Sequence, residues 1–260
     1  MSAPDRNALS QQRFSRFAAN YSGTDEVFFH APEMPHLLQL ADPQPGWRVL
    51  DIATGGGATA LALAPHVARV IALDHAPGML AAARARLAQH APAVVFAGGD
   101  AEALPFPDAS FDCVTCRIAA HHFPQPARFV DEVARCLRPG GVFVLQDLAA
   151  PEDARAAAWC DAFERLRDPS HVHMLAGYEW EGLCLNSGLH PQSSDIHRYA
   201  ARLLPWAERQ GCAPGVIERL QLLLLQAPPA VRAWLNICCA GSPDAGFDHV
   251  YLLLRAVRPA

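Results

Sequence analysis

From Trp47 onward two textures alternate along the chain. Short apolar runs occupy residues 48–52, 69–73, 93–97, 111–116 and 141–146, separated by Ala-, Leu- and Arg-rich segments at 58–64, 78–89 and 127–137. A short apolar run without strict alternation suits a strand covered on both faces, and the intervening segments have the length of crossover helices. The pattern predicts a doubly wound α/β unit, a parallel sheet between helical layers. Arg138-Pro139-Gly140-Gly141 closes the last of these helices, because proline cannot extend it and glycine supplies the turn.

The flanks read differently. Residues 1–46 are polar and irregular, with a short helix expected around 11–20 and a Pro-rich stretch from 32 to 45, and form an arm or lid. After residue 151, helices are expected at 152–166 and 178–187, a strand near 194–199, and two helical stretches within 203–234, split at 211–215 and broken by Pro228-Pro229. A last strand is expected at 249–257. The chain thus divides into an arm (1–46), a ligand-binding core (47–150) and a C-terminal part (151–260) that completes the sheet and carries helical insertions at about 152–190 and 203–234. The second insertion lies between the last two strands, where it is expected to roof a site and move as a lid.

With 260 residues and 51% hydrophobic composition the chain can bury one large core. Its 21 basic side chains are all arginine, set against 26 acids for a net charge of −5. That balance lacks the basic footprint of a nucleic-acid partner, and without lysine neither a Schiff base nor a lysine general base is available. The eight cysteines show no disulfide framework, which fits a reducing cytoplasm. The N-terminal stretch has no apolar signal-peptide region, and the longest apolar candidate, residues 220–225, is far too short to span a bilayer. A cytoplasmic protein without a membrane span is expected. Cys113 and Cys116, an odd spacing on one strand, point to opposite faces as core residues; Cys238-Cys239 is likewise expected to pack, with Cys238 or Cys239 near the roof also able to line a pocket.

The sharpest local feature is Val49-Leu50-Asp51-Ile52-Ala53-Thr54-Gly55-Gly56-Gly57, an apolar strand entering a glycine turn and then a helix. Such a turn lets backbone approach a ligand, with free N–H groups at the helix start. By itself it is ambiguous: Gly55, Gly57 and Ala60 also satisfy the dinucleotide pattern G-x-G-x-x-A of nicotinamide oxidoreductases, and a tight turn can bind nothing. Asp74, ending the next strand, is placed to accept both hydroxyls of a ribose, which argues for a nucleoside without saying which. An acidic turn, Gly99-Asp100-Ala101-Glu102, follows the third strand.

In this order and spacing, residues 47–147 resemble a class I S-adenosylmethionine-dependent methyltransferase, of the subgroup that includes ubiquinone/menaquinone-biosynthesis enzymes and many small-molecule methyltransferases. Arg167-Asp168-Pro169-Ser170-His171, followed by Glu179-Trp180, is similar to bacterial methyltransferases of unassigned substrate. The resemblance implies a Rossmann-like sheet of seven strands, the last antiparallel, with helical lid insertions. It implies S-adenosyl-L-methionine as cofactor and S-adenosyl-L-homocysteine as product. Ala53, Gly55 and Gly57, with Asp51, would lie beside the methionine portion, Asp74 and His75 at the ribose, Asp100 and Ala101 at the adenine, and Arg117 would complete the set. The family usually has glycine where this chain has Ala53, which adds one methyl group at the closest approach.

Methyl transfer from a sulfonium is an in-line displacement, so the enzyme positions two reactants and, for a hydroxyl acceptor, removes a proton; no metal is required. Open α/β sheets bind ligands at the C-terminal strand ends, where His121 and His122 follow the fourth strand and Asp147 ends the fifth. In the family's strand order these two strands are neighbours, which makes His121 the expected base and Asp147 its orienter. Some sugar and natural-product O-methyltransferases resemble the chain here. His122, Arg167 and His171 are expected at the acceptor, His122 as packing or support, and Arg167 or Arg117 is suited to hold an acceptor carboxylate. A zinc site from His121, His122, His171 and His173 lacks the cysteine pair that would make a good tetrahedral set. O-methylation of a small-molecule acceptor is the leading expectation. The alternatives are C-methylation of a quinone-type precursor in an apolar slot built from residues 220–225, and a non-catalytic S-adenosylmethionine-binding module that regulates a partner. Oligomeric state is not expressed in the sequence.

Overall fold

The computed structural model describes residues 6–19, 33–88 and 91–260. The five apolar runs form β1 (Arg48–Ile52), β2 (Arg69–Asp74), β3 (Val94–Gly98), β4 (Phe111–Arg117) and β5 (Leu137–Leu148), joined by β6 (His190–Arg202) and β7 (Gly246–Val257). The seven strands lie in one sheet in the order β3-β2-β1-β4-β5-β7-β6. The first five are mutually parallel, and β7 runs antiparallel to both β5 and β6. The order reverses between β1 and β4, so the loops after those strands diverge and open a crevice at their C-terminal ends.

Helices cover both faces: α1 (Arg6–Arg16), α2 (Met34–Ala41), α3 (Ala58–Leu63), α4 (Pro77–Leu87), α5 (Pro126–Cys136), α6 (Ala154–Arg167), α7 (Gly177–Asn186), α8 (Leu203–Arg209), α9 (Pro214–Leu225) and α10 (Pro229–Leu235). Two large apolar clusters result, one on each side of the sheet, with a small third one around Ala18, Ala76 and Met79. Cys116 packs with Phe129, Phe143 and Trp180 in one, Cys113 with Leu37, Leu63 and Val70 in the other. All eight cysteines are free thiols. No helix among the described residues is long and apolar enough to cross a membrane.

Several boundaries depart from the sequence reading. The N-terminal helix begins at Arg6, earlier than the expected 11–20, and residue 20 lies outside the described residues. A second helix, α2, occupies part of the Pro-rich stretch: Pro35 sits in its first turn, where a missing N–H removes no helical bond, and Met34, Leu37 and Ala41 bury one face. β5 starts at Leu137 directly after α5, so the Pro-Gly-Gly segment lies inside an extended strand. The 203–234 insertion holds three helices, because Pro229 starts α10 as well as ending the preceding stretch.

Candidate active site

A cavity of about 570 Å³ opens at the C-terminal strand ends, a size suited to a small-molecule site. Its floor is made by the loops after β1 to β5. Its cover comes from α1 through Asn7, Ser10 and Phe14, from the end of α6, and from Trp206 on α8. Close approach of the cover is built into the sequence: Gly78, in the first turn of α4, lies against Ser15 of α1, and a Cβ there would fall 2.7 Å from the Ser15 Cα.

At one end of the cavity β1 delivers Asp51, 1% exposed, which accepts hydrogen bonds from the Thr54 (2.6 Å) and Thr115 (2.8 Å) hydroxyls. Burial pushes its carboxyl up to about 6, against those two bonds and the Arg117 charge. The following turn needs left-handed backbone at Ala53 (φ 52°), Gly55 (φ 54°) and Gly57 (φ 84°). The glycine usual in the family at Ala53 is therefore explained by backbone conformation more than by the added methyl group. Gly57 is also tight, since a Cβ would meet Leu87 at 3.1 Å, and it shapes the turn without lining the cavity. Gly55 presents open space, and its N–H donates to Asp74 Oδ2 (2.9 Å), while the Ala76 N–H donates to Oδ1 (2.8 Å). Burial raises the Asp74 carboxyl and these bonds oppose it.

The arm reaches across this end. Ser10 Oγ lies 3.4 Å from His75 Nε2, Gln11 Nε2 donates to the His75 carbonyl (2.7 Å), and Asn7 Nδ2 donates to Asp100 Oδ2 (3.2 Å). Asp100 Oδ1 accepts from the Glu102 N–H, which sets the acidic turn with Ala101 buried beside it. Arg117 donates from Nε to Thr59 Oγ1 (3.1 Å) and pairs with the buried Glu33 at 3.5 Å.

At the other end His121 follows β4 in a 3-10 turn, Ala120–His122, and meets Asp147 of the neighbouring β5. Its Nδ1 lies 2.5 Å from Asp147 Oδ1, and its backbone N–H donates to Oδ2 (2.7 Å). His121 lines the cavity; Asp147, 1% exposed, stands behind it. Burial pulls the imidazole pKa down, but the charge and hydrogen bond of Asp147, with Glu164 and Asp168 beyond, carry it above the usual value. His122 sits in the cavity wall, its ring 4.2 Å from that of His121 and its Nδ1 3.3 Å from Ser170 Oγ. Burial and the His121 charge drive it far below the ordinary value, so it stays neutral.

Arg167, Asp168 and His171 fold over the same chamber, whereas His173 lies outside it, half exposed. Arg167 donates from Nε to the Trp206 carbonyl (3.0 Å) and stacks over its indole at 4.4 Å. Asp168 pairs with Arg13 of α1 (3.0 Å) and accepts from Gln210 Nε2 (2.6 Å) and Ser170, a clasp joining arm, loop and α8. His171 and His173 both turn a nitrogen to Asp161, at 2.7 and 2.5 Å. Burial acts to raise Asp161, but bonds from His171, Met174 and His173 outweigh it and hold its pKa low.

Three expectations fail here. Residues 220–225 build no acceptor slot: Leu220 and Leu224 are buried in the core, Leu222 and Leu225 are about half exposed, and none lines the cavity. Of the roofing insertion only α8 covers the cavity, while α9 and α10 pack against α6. Cys238 and Cys239 are exposed and away from it. Sequence reasoning also missed Glu33, Glu164, Tyr199, His249 and Tyr251, all in the cavity wall. His249 and Tyr251 were findable, since residues two apart on a strand share a face. Burial, with Arg167 and Arg209 nearby, holds His249 down at about 3.

Residues 50–145 match a family model described as a methyltransferase domain. Over 199 residues the chain is 37% identical to an uncharacterized methyltransferase, YcgJ, of Bacillus subtilis (strain 168), covering 76% of this chain and 78% of that protein. The crystal structure of YcgJ superposes with a TM-score of 0.85 at 32% identity, over 89% of this chain and 100% of that one. A demethylmenaquinone methyltransferase of Clavibacter sepedonicus is 37% identical over 134 residues, 52% of this chain and 54% of its own. Together with the strand order and the loops that line the crevice, these likenesses show that the chain belongs to the class I S-adenosylmethionine-dependent methyltransferases.

Proposed function

We propose that the cavity binds S-adenosyl-L-methionine along the β1 to β3 loops and methylates a hydroxyl of a small-molecule acceptor, with His121 as the base and Asp147 as its orienter. The residues present fit the cofactor: Asp74 offers a buried carboxyl at the cavity wall, the Gly55 turn leaves open space beside it, and Asp100 with Ala101 forms the next pocket along. Asp51, Ala53, Gly57, His75 and Arg117 shape the same end. When bound, the cofactor supplies an electrophilic methyl group and leaves as the thioether.

The observation that carries the reading is the His121–Asp147 pair. With Nδ1–H held by the carboxylate, Nε2 is left as the basic nitrogen at the cavity wall, and Asp147 stabilises the imidazolium that forms as the acceptor O–H proton arrives. Arg167 and His171 close the chamber, and neutral His122 supports the base. The test is His121→Ala: turnover on an acceptor found by incubating a metabolite extract with methyl-labelled cofactor should fall by ~10²–10⁴, with cofactor affinity unchanged in calorimetry. Equal turnover would remove the base assignment.

A second reading, C-methylation of a quinone-type precursor, is favoured by the Clavibacter sepedonicus relative. It would use the same base on a ring hydroxyl and place the methyl group on carbon, so the NMR spectrum of the product, methoxy or C-methyl, decides between the two. The free thiols and the net charge of −5 support work in the cytoplasm on a small molecule.

A further inference from the structure

We propose that Glu164 is a second anchor for the acceptor, its carboxyl taking a hydrogen bond from a hydroxyl other than the one methylated, so that the enzyme selects acceptors carrying at least two hydroxyl groups. The proposal rests on the methyl-transfer reading of the cavity.

Glu164 lies in the last turns of α6, is 8% exposed and lines the cavity. Its carboxyl has no hydrogen bond and no ion pair among the described residues. The other buried acids of the wall are all engaged. Asp51 is held by two threonine hydroxyls, Asp74 by two backbone N–H groups, Glu33 by Gln146 and Arg117, and Asp168 by Arg13, Ser170 and Gln210. The natural helical partner of Glu164 is Arg167, three residues on, but the two make no ion pair: Arg167 Nε donates to the Trp206 carbonyl and its guanidinium stacks on the indole, so it acts on Glu164 only through its charge. Glu164 is 8% exposed, yet neither carboxyl oxygen is fully enclosed, so what remains accessible of the group opens on the cavity, where a ligand's donor can reach it.

Its surroundings say which ligand. Burial raises the Glu164 carboxyl, while Arg167, His171 and His121 act in the opposite direction, so the group shares its chamber with the base. The His171 ring is itself 5.5 Å from the ring of His121. An ammonium would enter a chamber that already holds Arg167 and Arg209 and gains a proton on His121 during each turnover. A neutral donor avoids that repulsion. A second hydroxyl, on an aromatic ring or on a sugar-like polyol, meets both requirements.

The experiment uses full-length protein loaded with S-adenosylhomocysteine and titrated by calorimetry with catechol and myo-inositol, against phenol and cyclohexanol as monohydric counterparts. At least one polyol should bind roughly tenfold or more tightly than its counterpart. Glu164→Leu should erase that preference, and Glu164→Gln, which keeps one accepting oxygen, should retain part of it. Because the carboxyl makes no hydrogen bond among the described residues and burial outweighs the neighbouring charges, both variants should melt at or above the wild-type temperature. Three results overturn the assignment: no polyol preference in the wild type, a preference that survives Glu164→Leu, or a melting temperature lowered in both variants, which would make Glu164 structural. Failure of the wild type to take up S-adenosylhomocysteine would instead remove the cofactor reading, and the Glu164 assignment with it.

Discussion

Replacing Asp147 with asparagine keeps the shape of the side chain and removes its charge, and the hydrogen bonds around it set the cost. Oδ1 accepts from His121 Nδ1 and from the Leu148 N–H (2.8 Å), and Oδ2 accepts from the His121 backbone N–H (2.7 Å). An asparagine has one accepting oxygen for these donors. If that oxygen stays with Nδ1, the amide NH2 faces the His121 N–H, donor against donor. If the amide is flipped, NH2 faces Nδ1 and the proton is forced onto Nε2, which disables the base. Either way at least one buried N–H loses its acceptor, a cost of about 1–3 kcal/mol. For a chain of this size that lowers the melting temperature by roughly 2–12 °C.

The pH behaviour should change sign. In the wild type His121 titrates above the ordinary value of 6.5 because the charge and hydrogen bond of Asp147, with Glu164 and Asp168, together outweigh burial. Without the charge burial dominates, and the imidazole should titrate below about 6.5. A raised folded-state pKa contributes stability that is full below the unfolded value and is lost as pH rises through the folded one. The wild type should therefore lose stability from this group above about pH 6.5, and Asp147→Asn should not. Turnover should fall by roughly 10²–10⁴, with the alkaline-rising limb of the rate profile shifted downward in the variant. Imidazole chemical shifts measured by NMR against pH read the titration directly and need no acceptor. Identical His121 titration in the two proteins would refute the reasoning.

Asp74→Ala should weaken S-adenosylmethionine binding by roughly 10²-fold or more in calorimetry, since it removes hydrogen bonds to a charged group worth ~1.5–3 kcal/mol each; unchanged affinity would sink the ribose assignment. Ala53→Gly should stabilise the protein by up to about 1 kcal/mol in urea denaturation, because φ is +52° there, and Gly57→Ala should destabilise it. Arg13→Ala opens the clasp to Asp168 and Gln210, so cofactor release measured by stopped-flow fluorescence should quicken roughly tenfold, and hydrogen exchange in residues 6–19 should rise. An unaltered release rate would show that α1 packs without gating.

Legibility in the chain differs between site and cover. The floor of the crevice depends on residues near one another in sequence or at the ends of neighbouring strands: Asp51 and the Gly55 turn, Asp74, Asp100, and the His121–Asp147 pair. Buried parallel strands leave continuous apolar runs, and turns that need positive φ or tight approach call for glycine, so those positions can be read directly. The Arg167 to His171 segment was readable as a polar cluster. That Asp168 is the knot of a clasp was not, because its partners Arg13 and Gln210 are respectively 155 residues before and 42 residues after it in the chain.

Local pattern dictates the alternation of strands and crossover helices, the loops that must meet at the switch point, and the acids and histidines those loops carry. Which helices cover the cavity, and which side chains face it, was settled by packing. Apolar periodicity marks residues 220–225 as something to be buried without saying against what, and docking on α6 turned Leu220 and Leu224 into core. The same holds for Glu164. Its place in the wall comes from where α6 docks, and the absence of an ion pair with Arg167 from that side chain turning to Trp206. Both are long-range outcomes that the order of neighbouring residues cannot encode.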